Sequence, residues 1–321
     1  MVTHSGPRFG EVVELRTVGA KQLAALLDEQ TAVWRRDLDW DFRPSADLVR
    51  RFVEMQALNG HALVQGPGVA GYSYYACEEG KGLIGGLYVL AAHRTVENEN
   101  ALLQAVLDAM WRTPGVRRVE SQLMMLSVPF GRAVPYQKWF HSYPRCFLEA
   151  PLGTVSHLAP RELPGISILP WTESRQEETS RLIANSYHGH IDSQINDQYR
   201  SAGGARRFLM NIVQYPGCGT FFAPASYAAT GRQDRSLCGV SLASLVAADA
   251  GHITQVCVVP SRRGTGLGYD LMRRSMMALA EHGCHTVSLT VTAANASAIR
   301  LYERMGFVKR RDFAAYVWEP R

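Results

Sequence analysis

The sequence has no apolar run long enough to span a bilayer, no C-x-x-C pair and no block of like charge. A membrane helix needs about 20 consecutive apolar residues, and the apolar 46% of this chain is broken into shorter segments. The first ten residues, MVTHSGPRFG, hold no apolar stretch of the signal-peptide kind. These two absences predict a cytoplasmic protein with no membrane partner. The six cysteines, Cys77, Cys146, Cys218, Cys238, Cys257 and Cys284, are scattered, most of them inside apolar strand-like runs. Such spacing gives neither a disulfide framework nor a zinc site, so they read as reduced core residues. The formal charge of +5 comes from dispersed basic residues. It gives little reason to expect a nucleic-acid partner and fits a small anionic ligand as well.

With 321 residues the chain is too long for one small domain, which predicts two. The most informative stretch is VCVVPSRRGTGLG, Val256 to Gly268, where a β-branched apolar strand meets a glycine-spaced turn and then a helix. Glycines at a helix start let backbone approach a ligand without a Cβ, and the unpaired first-turn N–H groups attract an anion. Arg263 adds a fixed cation with a planar donor fork. Arg263, Gly266 and Gly268 spell R-x-x-G-x-G. That is neither a Walker A loop, which needs G-K-[ST], nor the dinucleotide fingerprint G-x-G-x-x-G.

A second signature, NASAIRLYERMGF from Asn295 to Phe307, begins 27 residues after Gly268. Together the two resemble the GNAT acyl-CoA N-acyltransferase superfamily. The family pattern is a strand, [QR]-x-x-G-x-[GA] opening a helix, a second strand, then N-x-x-A-x-x-L-Y-x-x-x-G-F. The chain matches it at Arg263, Gly266, Gly268, Asn295, Ala298, Leu301, Tyr302, Gly306 and Phe307.

The resemblance covers residues 166–321, where the coarse pattern agrees with it. ISILP reads as a strand, Thr172 as the cap of a helix from Glu173 to about Tyr187, and Ser193 to Gln214 as helical with a break near Gly203 and Gly204. Strands follow at TFFAPASYAA, LCGVSLASLVAA and HITQVCVV, then a helix from Gly266 to about Glu281 stopped by Gly283. TVSLTV, a helix ended by Gly306, and a final strand pair, FVKR and AAYVW, complete the order. The linker is placed at 153–165, GTVSHLAPRELPG. Residues 1–152 repeat the element order, and LVRRFVEMQ locally matches GARRFLMNIVQ. At the equivalent turn stands AAHRTVENENA, without glycine and with Glu97 and Glu99 at the helix start. The expected fold is therefore α/β: two GNAT-like domains in tandem, each a mostly antiparallel mixed sheet flanked by helices. The first is read as degenerate and 166–321 as the catalytic domain that binds acetyl-CoA.

The resemblance implies acetyl transfer from acetyl-CoA to a primary amine by direct attack in a ternary complex. It places the N–H of Val256 at the thioester carbonyl and the backbone of Val258 along the pantetheine arm. Arg263, Gly264, Thr265, Gly266, Leu267 and Gly268 would hold the pyrophosphate. Tyr302 matches the family tyrosine beside the sulfur, against the simpler reading of a core tyrosine. Asn295 would help bind the pantetheine, act as a helix N-cap, or both. His252 takes the place of the proton acceptor, because strand alternation puts His252, Thr254 and Val256 on one face; a histidine merely satisfied at a strand entry is the alternative.

Acceptor recognition is expected in SYHGHIDSQINDQYRS, through Tyr187, His190, Asp192 and Tyr199, with Asp192 suited to an ammonium. His188 and Asp197 add to its polar character. H-G-H beside one aspartate is a poor match to zinc spacing, so no metal is predicted. Cys218, in the turn PGCG, has no histidine arrangement that would make it a nucleophile. The acceptor is left open between a small molecule, a peptide and a protein lysine, and a homo-oligomer is left open too. Two alternatives stand beside the enzyme: a non-catalytic acyl-CoA sensor or scaffold, and similarity to mycothiol synthase, which also pairs two GNAT halves.

Overall fold

The computed structural model describes residues 10–66, 68–215 and 217–320. The expectation drawn from the N-terminus rests mostly on residues 1–9, outside the described residues, as does Pro216 of the PGCG turn. Two compact units divide the chain. One comprises residues up to Arg36, Phe42–Pro144 and the segment from Asp312 onward; the other comprises Asp37–Asp41 and Arg145–Arg311. These units differ from two consecutive domains at both seams. The reason lies in two strands, Phe140–Pro151 and Val308–Trp318, each of which begins in one unit and ends in the other.

The first unit is built from β1 (Glu11–Glu14), α1 (Ala24–Leu38), α2 (Arg43–Glu54), β2 (Gly60–Gln65), β3 (Gly68–Glu78), β4 (Lys81–Val89), α3 (Val96–Arg112) and β5 (Arg118–Leu123). Its sheet runs β1-β2-β3-β4-β5 and is completed by the C-terminal residues Ala314–Trp318, which pair with β5. All neighbours are antiparallel except β4 and β5. Leu102, Leu103, Val106, Leu107 and Met110 recur at helical spacing on α3 and are fully buried against Leu63, Ile84, Val119 and Trp318. Burial of each such side chain is worth about 1.5–3 kcal/mol.

The second unit takes its first strand from the end of β6 (Phe140–Pro151) and continues with β7 (Ile166–Pro170), α4 (Gln176–Tyr187), α5 (Asp192–Ile195) and α6 (Ala202–Gln214). β8 (Thr220–Phe221), β9 (Tyr227–Gly231), β10 (Leu237–Ala247), β11 (Ala250–Val258), α7 (Leu267–His282), β12 (Thr286–Thr292), α8 (Ala296–Arg304) and β13 (Val308–Trp318) follow. Its sheet order is β6-β12-β11-β10-β9-β7, with β8 added on β10; only β11 and β12 are parallel. On one face Met272, Met276 and Leu279 of α7 pack on Cys146, Leu148, Val287 and Leu289. On the other, Leu182 and Ile183 of α4 and Leu209 of α6 pack on Val240, Leu242 and Cys257. Each unit is thus a mixed, mainly antiparallel sheet flanked by helices, as the sequence predicts.

Several local expectations are corrected. Residues 193–214 break at Asn196 and Ser201, not at the glycines; Ser201 caps α6 through the Gly204 N–H, and Gly203 and Gly204 lie in the first turn. Gly204 is there because a Cβ would lie 2.5 Å from the Gln198 carbonyl oxygen. Thr172 does not cap a helix: its hydroxyl pairs with Ser174, and residues 173–175 form a 3₁₀ turn before α4. TFFAPASYAA is two strands separated by a 3₁₀ turn at Ala223–Ala225. FVKR and AAYVW belong to one continuous strand, β13. All six cysteines are free, and Cys218 is exposed. Among the described residues no helix is long and apolar enough to cross a membrane.

Candidate active site

The site begins where two neighbouring strands part. β11 and β12 pair only at Ala250↔Thr286, Gly251↔Val287 and His252↔Ser288, although β11 runs on to Val258 and β12 to Thr292. Beyond His252, β11 keeps β10 on its other side. A β-bulge sits at the parting: Gln255 opposes Leu242 and Ile253 opposes Ala243, which leaves Thr254 as the extra residue, its hydroxyl donating to the Leu242 carbonyl at 3.0 Å. The bulge resets the alternation. Gly251, Ile253, Val256 and Val258 face the α7 side, where Val256 packs on the Met272 and Met276 cluster and Val258 on Leu267 and Leu271. Gln255 and Cys257 face α4. The predicted single face for His252, Thr254 and Val256 is therefore corrected: His252 shares a side with Gln255, not with Val256.

Downstream of β11 the chain forms a 3₁₀ turn at Pro260–Arg262 and then two left-handed glycines, Gly264 at φ +78° and Gly266 at φ +89°. A side chain at either position would be strained. Beside Gly264 an added Cβ would meet nothing within 4 Å, so this side of the turn is open. Gly266 is the N-cap of the 16-residue helix α7 and carries no side-chain cap, which leaves first-turn N–H groups for a ligand. Thr265 donates to the Arg262 carbonyl at 2.8 Å and Leu267 is buried, so both fix the turn. Gly268 approaches the Val258 side chain at 3.6 Å from a would-be Cβ. An open, uncapped, cation-flanked turn fits a pyrophosphate. The Arg263 guanidinium, however, is engaged elsewhere: it donates to the Ser186 carbonyl at 2.7 Å and, more weakly, to Val258 at 3.4 Å. It braces the end of α4 against the turn.

On the far side of the parted strands, Asp192 is a hub. It accepts a hydrogen bond from Thr292, lies 3.9 Å from the Arg145 guanidinium and 3.6 Å from His190 Nδ1. Its own N–H donates to His190 Nδ1 at 3.2 Å. Burial raises the hydroxyl pKa values of Tyr187, Tyr199 and Tyr302, and the Asp192 charge raises each further. Tyr187 and Tyr199 stack with ring centroids 4.4 Å apart and are bridged by Gln255, which donates to Tyr187 at 2.9 Å and accepts from Tyr199 at 3.3 Å. Asn295 caps α8 through the Ala298 N–H, with its Nδ2 3.5 Å from His190 Nε2. Tyr187, His190, Asp192, Tyr199, Asn295 and Tyr302 are thus one cluster.

His252 lies in a different environment. Its Nδ1 is 2.9 Å from Ser288 Oγ, and the ring packs against Trp40 and Phe147. Burial pushes its pKa down to about 4, so it is neutral near pH 7. Arg145, Thr292 and Gln255 were not singled out from the sequence. Arg145 precedes the linker and reaches the cluster only because β6 pairs with β12, Arg145 opposite Thr292.

The corresponding turn of the first unit is built otherwise. Thr95 caps the start of α3 through the Asn98 N–H. The Glu99 carboxylate, 1% exposed, receives Arg132 and both the N–H and hydroxyl of Ser127. The Tyr74 ring lies flat on Gly85 and Gly86, where added Cβ atoms would come within 2.2 and 2.8 Å of it.

A parted parallel strand pair, a bulge and a glycine-opened helix thus form one site in the second unit. Residues 191–307 match the model of the Acetyltransferase (GNAT) family. These residues form a GNAT-family domain within the second unit. The chain is similar to N-alpha-acetyltransferase MAK3 of Arabidopsis thaliana, 33% identical over 66 residues, 21% of this chain and 35% of that protein. It is also similar to the mycothiol acetyltransferase of Corynebacterium jeikeium, 39% identical over 57 residues, 18% of this chain and 16% of that one. The matches thus span about a third or less of these relatives' lengths. Among solved structures, a tandem GNAT protein from the clavulanic acid biosynthesis pathway superposes with a TM-score of 0.58 at 15% identity, covering 97% of this chain and 99% of that one. The chain shares the fold of that protein.

Proposed function

We propose that the second unit is a cytoplasmic N-acetyltransferase that moves an acetyl group from acetyl-CoA to a primary amine by direct attack in a ternary complex. The observation that carries this is the parted β11–β12 pair, with the glycine turn at its end and the Asp192–Tyr302 cluster across it. When bound, acetyl-CoA supplies the acetyl group as an activated thioester. The N–H groups of Gly264 to Gly268 would hold its pyrophosphate, and the backbone of Val258 and the Asn295 amide its pantetheine arm. The Val256 N–H would be the donor to the thioester carbonyl oxygen.

Asp192 draws in the acceptor ammonium, and Tyr187, Tyr199 and His190 shape the space around it. The amine must shed a proton before and during attack. Its N–H acidity rises steeply as the N–C bond forms, and His252, held unprotonated by burial, is assigned to receive the proton then. The buried Tyr302 hydroxyl keeps its proton at neutral pH and would be the donor to the thiolate that acetyl transfer releases.

The first unit is read as a degenerate GNAT domain without productive cofactor binding, because Thr95 and Glu99 fill the turn that glycines open in the second unit. Calorimetric titration with acetyl-CoA tests both readings. One site per chain, lost in Gly266→Glu, is the expected result; two sites would overturn the degenerate first unit, and none would leave a scaffold. N-alpha and mycothiol-type amines, named by the activities of the relatives, are the first acceptors to assay.

A further inference from the structure

Arg161 lies in the linker, outside both sequence signatures, yet the fold carries it to the glycine turn. Its Cγ is 3.4 Å from where a Cβ on Gly266 would stand. Two hydrogen bonds stitch this part of the linker to the first turn of α7: the Arg161 N–H donates to Asp270 Oδ1 at 3.3 Å, and the Tyr269 hydroxyl donates to the Ala159 carbonyl at 3.1 Å. The position of the residue is therefore built, not incidental.

Its charge is uncommitted. Among the described residues the Arg161 guanidinium forms no ion pair and rests over the Tyr269 ring, 5.3 Å from the centroid. Asp270 does not neutralise it, because that carboxylate is buried and taken by the side chains of Arg273 and Arg274 at 2.9 and 3.0 Å. Arg263, the cation that the signature supplies, is held in place by two of its N–H groups on the carbonyls of Ser186 and Val258. An uncapped helix start is thus flanked by two arginines, Arg263 tethered to backbone carbonyls and Arg161 resting on a ring.

We infer that Arg161 is a ligand of the cofactor's pyrophosphate, a linker residue that meets it at the glycine turn beside Gly266. This inference rests on the acetyl-CoA reading of the site. A guanidinium fork donates to two phosphate oxygens in a fixed planar geometry that an ammonium lacks. Moving off the Tyr269 ring costs little at an exposed position.

The test is calorimetric titration of the full chain with acetyl-CoA, comparing Arg161→Ala and Arg161→Lys with the unaltered protein. The expected result is about a tenfold weaker Kd for Arg161→Ala, a smaller loss for Arg161→Lys, and a shallower dependence on salt. The same loss with acetyl-3′-dephospho-CoA supports the pyrophosphate assignment; disappearance of the loss with that ligand overturns it in favour of the 3′-phosphate. Trypsin gives a second readout, since acetyl-CoA should slow cleavage after Arg161 if the side chain is engaged. Equal affinities for all three proteins and no protection would overturn the inference, whereas failure of the unaltered protein to bind acetyl-CoA would refute the cofactor reading itself.

Discussion

Thr292, at the end of β12, donates a hydrogen bond to the carboxylate of Asp192 across a separation of 100 residues. The bond fixes a carboxylate whose charge adds to burial in raising the pKa of three tyrosines, and leaves its second oxygen 3.6 Å from His190 Nδ1.

Replacing Asp192 with Asn keeps the shape and removes the charge. The expected outcome is a rise in KM for the amine of about tenfold or more, with acetyl-CoA affinity unchanged, read from steady-state kinetics and calorimetry. Asp192→Ala should in addition lower Tm, because it strips the buried Arg145 of a nearby counter-charge. An unaltered KM in Asp192→Asn would remove Asp192 from acceptor binding.

Tyr302→Phe should lower kcat by about tenfold or more while leaving the Kd for acetyl-CoA within about twofold. Because burial holds the Tyr302 hydroxyl above its ordinary pKa, the unaltered enzyme should show no alkaline loss of rate from this residue below pH 10. Equal kcat in the two proteins would return Tyr302 to a packing role.

His252 supplies a stability signature as well as a rate. Its folded pKa, about 4, lies below the ordinary 6.5, so between these values the unfolded chain binds the extra proton. Stability is then full above pH 6.5 and falls as pH drops toward 4, by up to about 3 kcal/mol. Denaturant titrations across that range should show this loss in the unaltered protein and a flatter profile in His252→Gln. The rate of His252→Ala should fall chiefly below the pKa of the amine; a uniform effect across pH would point to another acceptor of the proton.

In the first unit, Glu99→Ala leaves Arg132 buried without its carboxylate. A loss of about 3–5 kcal/mol is expected on chemical denaturation. Acetyl-CoA stoichiometry should stay at one, since Thr95 still caps α3. A second binding site appearing in this variant would mean that the carboxylate alone closes the turn.

The strand, glycine turn and helix of the second unit were legible because each is specified within a few residues: β-branched runs, Gly264 and Gly266 at positive φ, Gly283 as a left-handed stop. Asn295 and Tyr302 were legible through the family signature they match. The side on which His252 points was not, because alternation counts residues and a bulge at Thr254 adds one that no local pattern announces. Arg145 and Arg161 escaped for a related reason. Each lies outside the motifs and gains its place only from a pairing or packing partner distant in sequence, Thr292 for one and Asp270 for the other. The break in 193–214 was misplaced because glycine was read as a helix breaker, whereas Gly204 serves a close approach to Gln198.

The seam at β6 bears on how this protein can be cut or recombined. Residues 145–151 precede the linker, yet they form the strand that pairs with β12 from Pro151↔Thr286 to Arg145↔Thr292. A polypeptide starting at Gly153 would carry every signature residue and still lack a wall of its own sheet, exposing the bare edge of β12 to self-association. The stretch that looks like a natural scissile joint is thus the wrong place to divide the molecule, and a gene rearrangement joining foreign sequence there would inherit the motifs without a foldable domain.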